Sequence, residues 1–227
     1  MAAAHGALLV VDNTFTTPAM FRPMQHGADI VINSITKFLA GHSDVTLGYV
    51  AARDPGLRTA IYDAAVTWGT TPSPFDCWLA ERGLHTFDLR FEKAQATAAA
   101  LADALAGRDG IRQVIYPGRA DHPHHNRAGT LFGGQFGNML SFEIEGGRDE
   151  VNSFVMNAGG IPFAPTLGDV GCTLSHPASS SHRALTTEGR AALGISEGYF
   201  RLSVGIEPPE LVLAELDAAL AAVRGES

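Results

Sequence analysis

The amino-terminal part of the chain carries short, almost unbroken apolar runs. Residues 7–12 (ALLVVD), 28–34 (ADIVINS) and 47–52 (LGYVAA) are each too short for a helix, and the first two are rich in Val or Ile. Runs of this kind predict strands buried on both faces, as in the sheet of an α/β protein. The segment between the first two holds Thr17-Pro18 and His26-Gly27. It predicts a loop with one or two helical turns.

The period changes from Asp76 onward. Phe87, Phe91 and Ala94 follow i, i+4, i+7 spacing, and residues 94–106 are rich in Ala and Leu. That pattern predicts helix up to Gly107. Residues 111–116 predict a strand ended by Pro117-Gly118. Residues 119–137, rich in His, Gly and Asn, predict an irregular loop. Residues 138–145 (NMLSFEIE) alternate apolar and polar, as a half-buried strand does. A short helix over 149–158, a strand over 199–204 and a closing helix over 208–223 complete the pattern. Leu211, Leu213, Leu216 and Leu220 fall on or near one stripe of the last helix.

The expected organisation is α/β, with a mostly parallel sheet and connecting helix in residues 1–106 and a smaller α+β domain in residues 107–227. A doubly wound sheet ordinarily has more strands than the three visible here. The expectation is therefore that an amino-terminal part of the sheet lies outside this sequence, the alternative being a small domain with a modest sheet.

Composition narrows the classes. Among 227 residues, 45% are hydrophobic and 18% charged, which suits a folded globular chain. A formal charge of −8 disfavours a nucleic-acid or anionic-membrane surface. No apolar stretch approaches the ~18 residues of a membrane span. The start, MAAAHG, lacks the basic and apolar regions of a signal peptide. The two cysteines, Cys77 and Cys172, form no Cys-x-x-Cys pair, which excludes a zinc ribbon or thioredoxin motif. They read as reduced thiols of a cytoplasmic protein.

Open α/β sheets place ligands at the carboxyl ends of their strands. One such end carries Asp12, and another carries Ser34-Ile35-Thr36-Lys37. An acid, two hydroxyls and a lysine are the set that pyridoxal 5'-phosphate (PLP) asks for. Its aldehyde takes a lysine amine, its pyridine nitrogen a carboxylate, and its phosphate hydroxyl or amide donors. Taken alone, the same residues also suit a turn acid and a solvated lysine.

Longer motifs narrow the choice. Val11-Asp12-Asn13-Thr14-Phe15 with Thr17-Pro18, Ser34-Ile35-Thr36-Lys37-Phe38, Gly41-His42-Ser43-Asp44, Pro72-Ser73-Pro74-Phe75-Asp76, Arg82-Gly83-Leu84, Tyr116-Pro117-Gly118, His176-Pro177-Ala178, Gly194-Ile195-Ser196 and Arg201-Leu202-Ser203-Val204-Gly205-Ile206-Glu207 follow one another along the chain. Together they resemble the PLP-dependent enzymes of Cys/Met metabolism, among them cystathionine γ-lyase, methionine γ-lyase, cystathionine γ-synthase and O-acetylhomoserine sulfhydrylase. The resemblance covers nearly the whole chain.

The resemblance implies a partial fold-type I PLP-transferase large domain followed by a carboxyl-terminal α+β domain. It implies Lys37 as the Schiff-base lysine, Asp12 as the partner of the pyridine nitrogen, and Ser34 and Thr36 as hydroxyls near the phosphate. Arg201 matches the arginine that grips the substrate α-carboxylate, and a planar guanidinium suits that task better than an ammonium. Thr166 stands where relatives carry a serine that orients the carboxylate and the lysine. The implied substrate is a sulfur amino acid, and the implied assembly of the complete protein is a homotetramer, a dimer of dimers. No metal is implied: relatives carry a loop like His122-Pro123-His124-His125 without one.

Two departures bear on function. The upstream half of the resembled enzymes supplies a ring-stacking tyrosine and a Gly-rich helix start for the phosphate. Neither lies in this sequence, so this chain alone is expected to hold the cofactor poorly or not at all. Pro165, just before Thr166, departs from the residues that influence substrate choice in relatives. The implied reaction is γ-elimination from cystathionine or methionine. A γ-replacement transferase and a non-catalytic remnant or interaction module are the alternatives.

Overall fold

The computed structural model describes residues 2–226. The chain divides into two units, Met1–Leu89 and Arg90–Ser227.

The first unit opens with strand β1 (Val10–Asp12) and a single helical turn, α1 (Thr17–Met20). Strands β2 (Ile30–Ser34) and β3 (Gly48–Ala52) follow, then helices α2 (Pro55–Trp68) and α3 (Pro74–Leu84). β1 and β2 are parallel, with Asp12 opposite Ile32. β3 runs antiparallel to β2, with Ile32 opposite Val50. Residues 35–47 hold only a turn, and a parallel return needs a longer crossover. The small sheet is therefore mixed.

Burial on both faces was the expectation for these strands, and one face departs from it. Val31 and Asn33 point inward and are buried. Val10, Ile32 and Val50 on the opposite face are 49%, 38% and 49% exposed. Among the described residues, no element covers that face.

The sequence reading assigned no element to residues 55–68, where α2 lies. Its stop signals are local: Asp54 Oδ1 accepts from the Leu57 amide at 2.8 Å, Pro55 occupies the first turn, and Gly69 closes the helix at φ 69°. No residue of α2 is buried, so no apolar stripe announced it. α3 is capped in the same way, Ser73 Oγ accepting from the Asp76 amide at 3.0 Å.

Helix α4 (Phe87–Leu105) buries Ala98, Leu101, Ala102 and Leu105 in the core of the second unit. The division between units thus falls before this helix's long apolar stripe. A split at 106/107 would separate the stripe from the core that it fills.

The second unit continues through β4 (Ile111–Ile115), α5 (His125–Leu131), β5 (Met139–Ile144), α6 (Arg148–Asn157), β6 (Thr173–Ser175), α7 (Thr187–Ala192), β7 (Tyr199–Ser203) and α8 (Pro209–Val223). Its sheet has the order β4-β5-β7-β6 and is antiparallel throughout. Alternation sends Leu140, Phe142, Ile144, Phe200 and Leu202 into the core, where Val151, Phe154, Val212, Leu216 and Leu220 of α6 and α8 meet them. Ser141, Arg201 and Ser203 fall on the other face. The loop expected over 119–137 contains α5. No described helix is long and apolar enough to cross a membrane.

His176 locks the β6 edge of this unit. Its Nε2 lies 2.7 Å from the Glu197 carbonyl, which can only accept, so Nε2 carries the proton. Nδ1 then accepts from Ser179 Oγ at 2.9 Å. Burial holds its pKa below the ordinary histidine value, Arg148 and Arg190 push the same way, and the Glu197 carbonyl and carboxylate oppose them. The unfolded state therefore binds a proton at a pH where the folded state does not. This contribution to stability is complete above about pH 6.5 and is lost as pH falls toward the lowered folded value. The expected slope below pH 6.5 is no steeper than about 1.4 kcal/mol per pH unit, the limit for one proton. Denaturant melts of wild type and His176→Gln at pH 7.5 and 5.5 check this. Equal pH sensitivity in the two proteins would refute the assignment.

Candidate active site

Parallel pairing brings the carboxyl ends of β1 and β2 to one edge, so Asp12, Ser34, Thr36 and Lys37 share it. The two strand ends are stitched together. The Asn13 amide donates to Ile32 O at 2.8 Å, Asn33 Nδ2 to Asn13 O at 3.0 Å, and the Ser34 amide to Thr14 Oγ1 at 2.9 Å. Asn13 and Asn33 are both 1% exposed. A buried amide donor left unpaired is costly, so the bond from Asn33 Nδ2 to Asn13 O helps fix the two strand ends.

Asp12 is exposed, and its Oδ1 accepts from the Thr14 amide at 2.9 Å, an Asx turn that orients the carboxylate. Two turns further on, Thr17 is fully buried at φ 57°. A β-branched residue in that region is strained, and such strain clusters at ligand sites.

The Thr36 hydroxyl is engaged by the backbone of Leu47. It accepts from the Leu47 amide at 2.9 Å and lies 3.2 Å from Leu47 O, its single proton pointing there. The Thr36 amide also donates to Leu47 O, at 3.1 Å. These bonds anchor the start of the turn Ile35–Leu39, which has π-type hydrogen bonding and a non-helical Lys37 at φ −84°, ψ −132°. The Ala40 amide closes the turn on Ile35 O at 2.9 Å, and the Gly41 amide donates to Lys37 O at 2.8 Å. Lys37 itself is half-buried.

In the second unit the structure brings Arg201 and Thr166 together. Arg201 Nη2 donates to Thr166 O at 3.3 Å, so the backbone carbonyl of Thr166 faces the guanidinium. Arg201 is half-buried, and burial disfavours its charged form, with the nearby Tyr199 partly offsetting this. Its Nε is buried without a hydrogen-bond partner, and among the described residues Arg201 forms no ion pair.

The loop bearing Thr166 is tied to the chain that continues from β7. The Gly168 amide donates to Ser203 Oγ at 2.9 Å, and the Ile206 amide to Val170 O at 2.9 Å. Glu207 accepts from the Cys172 amide at 2.6 Å and from its thiol at 3.2 Å. Burial pushes the Cys172 thiol up to about 12, and the Glu207 carboxylate adds to the rise while the Gly205 amide opposes it. The thiol stays protonated and serves as a donor. Asn13, Ser203 and Glu207 stand within the quoted motifs, but the sequence assigns them no role, nor one to Cys172. Asn33 carries a local signal of its own, a polar residue inside the apolar run IVINS.

The first unit offers PLP an amine, a carboxylate and the Ser34 hydroxyl at one strand edge; the Thr36 hydroxyl, expected near the phosphate, gives its proton to Leu47 O and shapes the turn instead. Among the described residues, no cluster of three or more His, Cys, Asp or Glu could hold a metal ion.

A family model for the Cys/Met metabolism PLP-dependent enzyme matches residues 1–221. Cystathionine beta-lyase MetC of Bacillus subtilis (strain 168) is 41% identical over 220 residues, 97% of this chain and 56% of that protein. Cystathionine gamma-synthase of Escherichia coli (strain K12) is 39% identical over 217 residues, 96% of this chain and 56% of that protein. The crystal structure of cystathionine gamma synthase from Xanthomonas oryzae pv. oryzae in complex with aminoacrylate and cysteine superposes with a TM-score of 0.93 at 45% identity. It covers 100% of this chain and 58% of its own. The chain therefore spans a little over half the length of these relatives. With nearly all of its length matched, this chain belongs to the Cys/Met metabolism family of PLP-dependent enzymes.

Proposed function

We propose that this chain carries the lysine, ring acid and substrate-carboxylate arginine of a PLP-dependent carbon–sulfur lyase, which acts on cystathionine or methionine by γ-elimination. The observation that carries the reading is Arg201: a half-buried guanidinium with an orphaned Nε and no ion pair among the described residues. A cation left in that state is poised for an anion, and a substrate α-carboxylate matches its planar fork.

In this reading Lys37 would hold the cofactor's aldehyde carbon, Asp12 would keep a proton on the pyridine nitrogen, and Ser34 would donate to the phosphate, while Thr36, its hydroxyl proton committed to Leu47 O, would hold the turn beside it. When bound, the cofactor supplies an electron sink for carbanion chemistry. Once the substrate amine has displaced it from the cofactor, the freed Lys37 amine would take the α-proton as a general base. Arg201, with Thr166 beside it, orients the substrate through its carboxylate, a positioning contribution. With one water consumed, the overall products would be an α-keto acid, ammonia and a thiol.

The chain contains two lysines, Lys37 and Lys93, which makes the test direct. Lys93 is exposed and Lys37 half-buried, so accessibility alone favours labelling of Lys93. The chain is mixed with PLP, reduced with borohydride, digested and quantified by mass spectrometry. Lys37 is expected to carry the pyridoxyl group at least fivefold more than Lys93. Equal labelling, or a preference for Lys93, counts against Lys37 as the cofactor lysine.

A γ-replacement transferase is the second reading, favoured by the 45% identity to the Xanthomonas oryzae cystathionine gamma synthase. In the complete protein, keto acid formed without an added thiol supports the lyase. Product that requires a second thiol supports replacement.

A further inference from the structure

Helix α3 passes the Lys37 turn with no room for a side chain at Gly83. Gly83 is buried, and a Cβ there would lie 2.5 Å from Ala40 O, 2.8 Å from Ala40 Cα and 3.0 Å from the Ala40 carbonyl carbon. All three are backbone atoms, so rotating a side chain cannot relieve the clash. Either the helix or the turn must move.

Ala40 is the residue that closes the turn. Its amide bonds to Ile35 O at 2.9 Å, and the next amide, Gly41, bonds to Lys37 O at 2.8 Å. Phe38, Leu39, Ala40 and, from α3, Ala80 are all buried. The opposite end of the turn is anchored by Thr36 on Leu47. A displacement forced at Ala40 is therefore absorbed between two fixed points, and Lys37 lies between them. Close packing transmits such shifts because interiors leave few voids.

We propose that Gly83 is a positioning residue for Lys37. By lacking a side chain, it lets α3 press directly on the Ala40 backbone and sets where the Lys37 turn stands relative to the edge that holds Asp12 and Ser34. The inference rests on the reading of Lys37 as the cofactor lysine.

Three forms of the chain separate positioning from a general loss of helix stability: wild type, Gly83→Ala, and Ser73→Ala. Ser73→Ala removes the α3 cap without adding an atom at the turn. The first readout is hydrogen exchange at the Ala40 and Gly41 amides, which needs no cofactor. The second is the Lys37 to Lys93 pyridoxylation ratio. Gly83→Ala is expected to speed exchange at both amides at least tenfold and to lower the ratio at least threefold. Ser73→Ala is expected to leave both near wild type. Unchanged exchange in Gly83→Ala, or equal changes in Ser73→Ala, overturns the proposal. Absence of a Lys37 preference in wild type would defeat the cofactor reading, while the exchange data would still decide the grip of Gly83 on the turn. Should Gly83→Ala alone fail to fold, Gly83→Ala with Ala40→Gly frees the Ala40 backbone to yield. A folded double variant with a low ratio supports the proposal, and one with the wild-type ratio overturns it.

Discussion

Replacing Gly205 with Ala is expected to destabilise the carboxyl-terminal unit by about 2–3 kcal/mol, the upper part of the range for overpacking a closed interior. A Cβ at Gly205 would lie 2.6 Å from the Gly171 carbonyl carbon and closer still to Val170 O and Glu207 Oε2. Two of these are backbone atoms. The third belongs to a carboxylate already committed to the Cys172 amide and thiol. The methyl must therefore push the Thr166 loop off the chain that follows β7 or break the Glu207 bonds to Cys172. Breaking those bonds leaves a buried amide unpaired, which costs about as much as the clash. Thermal or urea melts of wild type, Gly205→Ala and Gly159→Ala test this. A Cβ at Gly159 meets nothing within 4 Å, so that variant should melt within about 0.5 kcal/mol of wild type. A Gly205→Ala protein that melts with Gly159→Ala would show that the loop yields freely, and the packing argument would fail.

The parts of this arrangement that were legible in the sequence are those whose signals are local. Apolar runs ending in Asp12 and Ser34 marked two strand ends, and parallel pairing brought them to one edge. Alternation in NMLSFEIE separated the core residues Leu140, Phe142 and Ile144 from Ser141 and Glu143. What escaped depends on pairs distant in sequence. Thr36 is expected from the resemblance to lie near the phosphate, and nothing in Ser-Ile-Thr-Lys announces that Leu47 engages both its amide and its side chain. The Cys172–Glu207 pair joins residues 35 positions apart. Helix α2 escaped for a different reason. Its caps, Asp54-Pro55 and Gly69, were visible, but without a buried face there was no stripe for a periodicity argument to find. The third strand shows the same limit: the run LGYVAA identified a strand, while its direction was decided by the short connection before it.

Arg201→Met is expected to raise the stability of the carboxyl-terminal unit, by about 1 kcal/mol, while removing the carboxylate grip proposed for it. A guanidinium that is half-buried, with Nε orphaned and one bond of 3.3 Å to Thr166 O, bears a desolvation cost with little return within the folded chain. A residue kept for stability would have a carboxylate partner, as Arg190 has in Glu197 at 2.7 Å. Methionine fills similar volume, keeps the packing of the aliphatic stem and carries no charge to desolvate. The carbonyl of Thr166, which loses its donor, belongs to a residue that is only partly buried, so water can replace the bond. The expected rise in melting midpoint is about 2–5 °C for a unit of this size. The opposite sign is informative. If Arg201→Met lowers stability by about 1 kcal/mol or more, Arg201 is a structural cation whose partner the folded chain already supplies. The carboxylate-binding role would then lose the observation on which it stands. A gain in stability together with lost substrate binding in the complete protein is the pattern of a group held in an unfavourable state for its ligand, because the free energy that the folded chain forgoes at Arg201 is recovered only when an anion arrives.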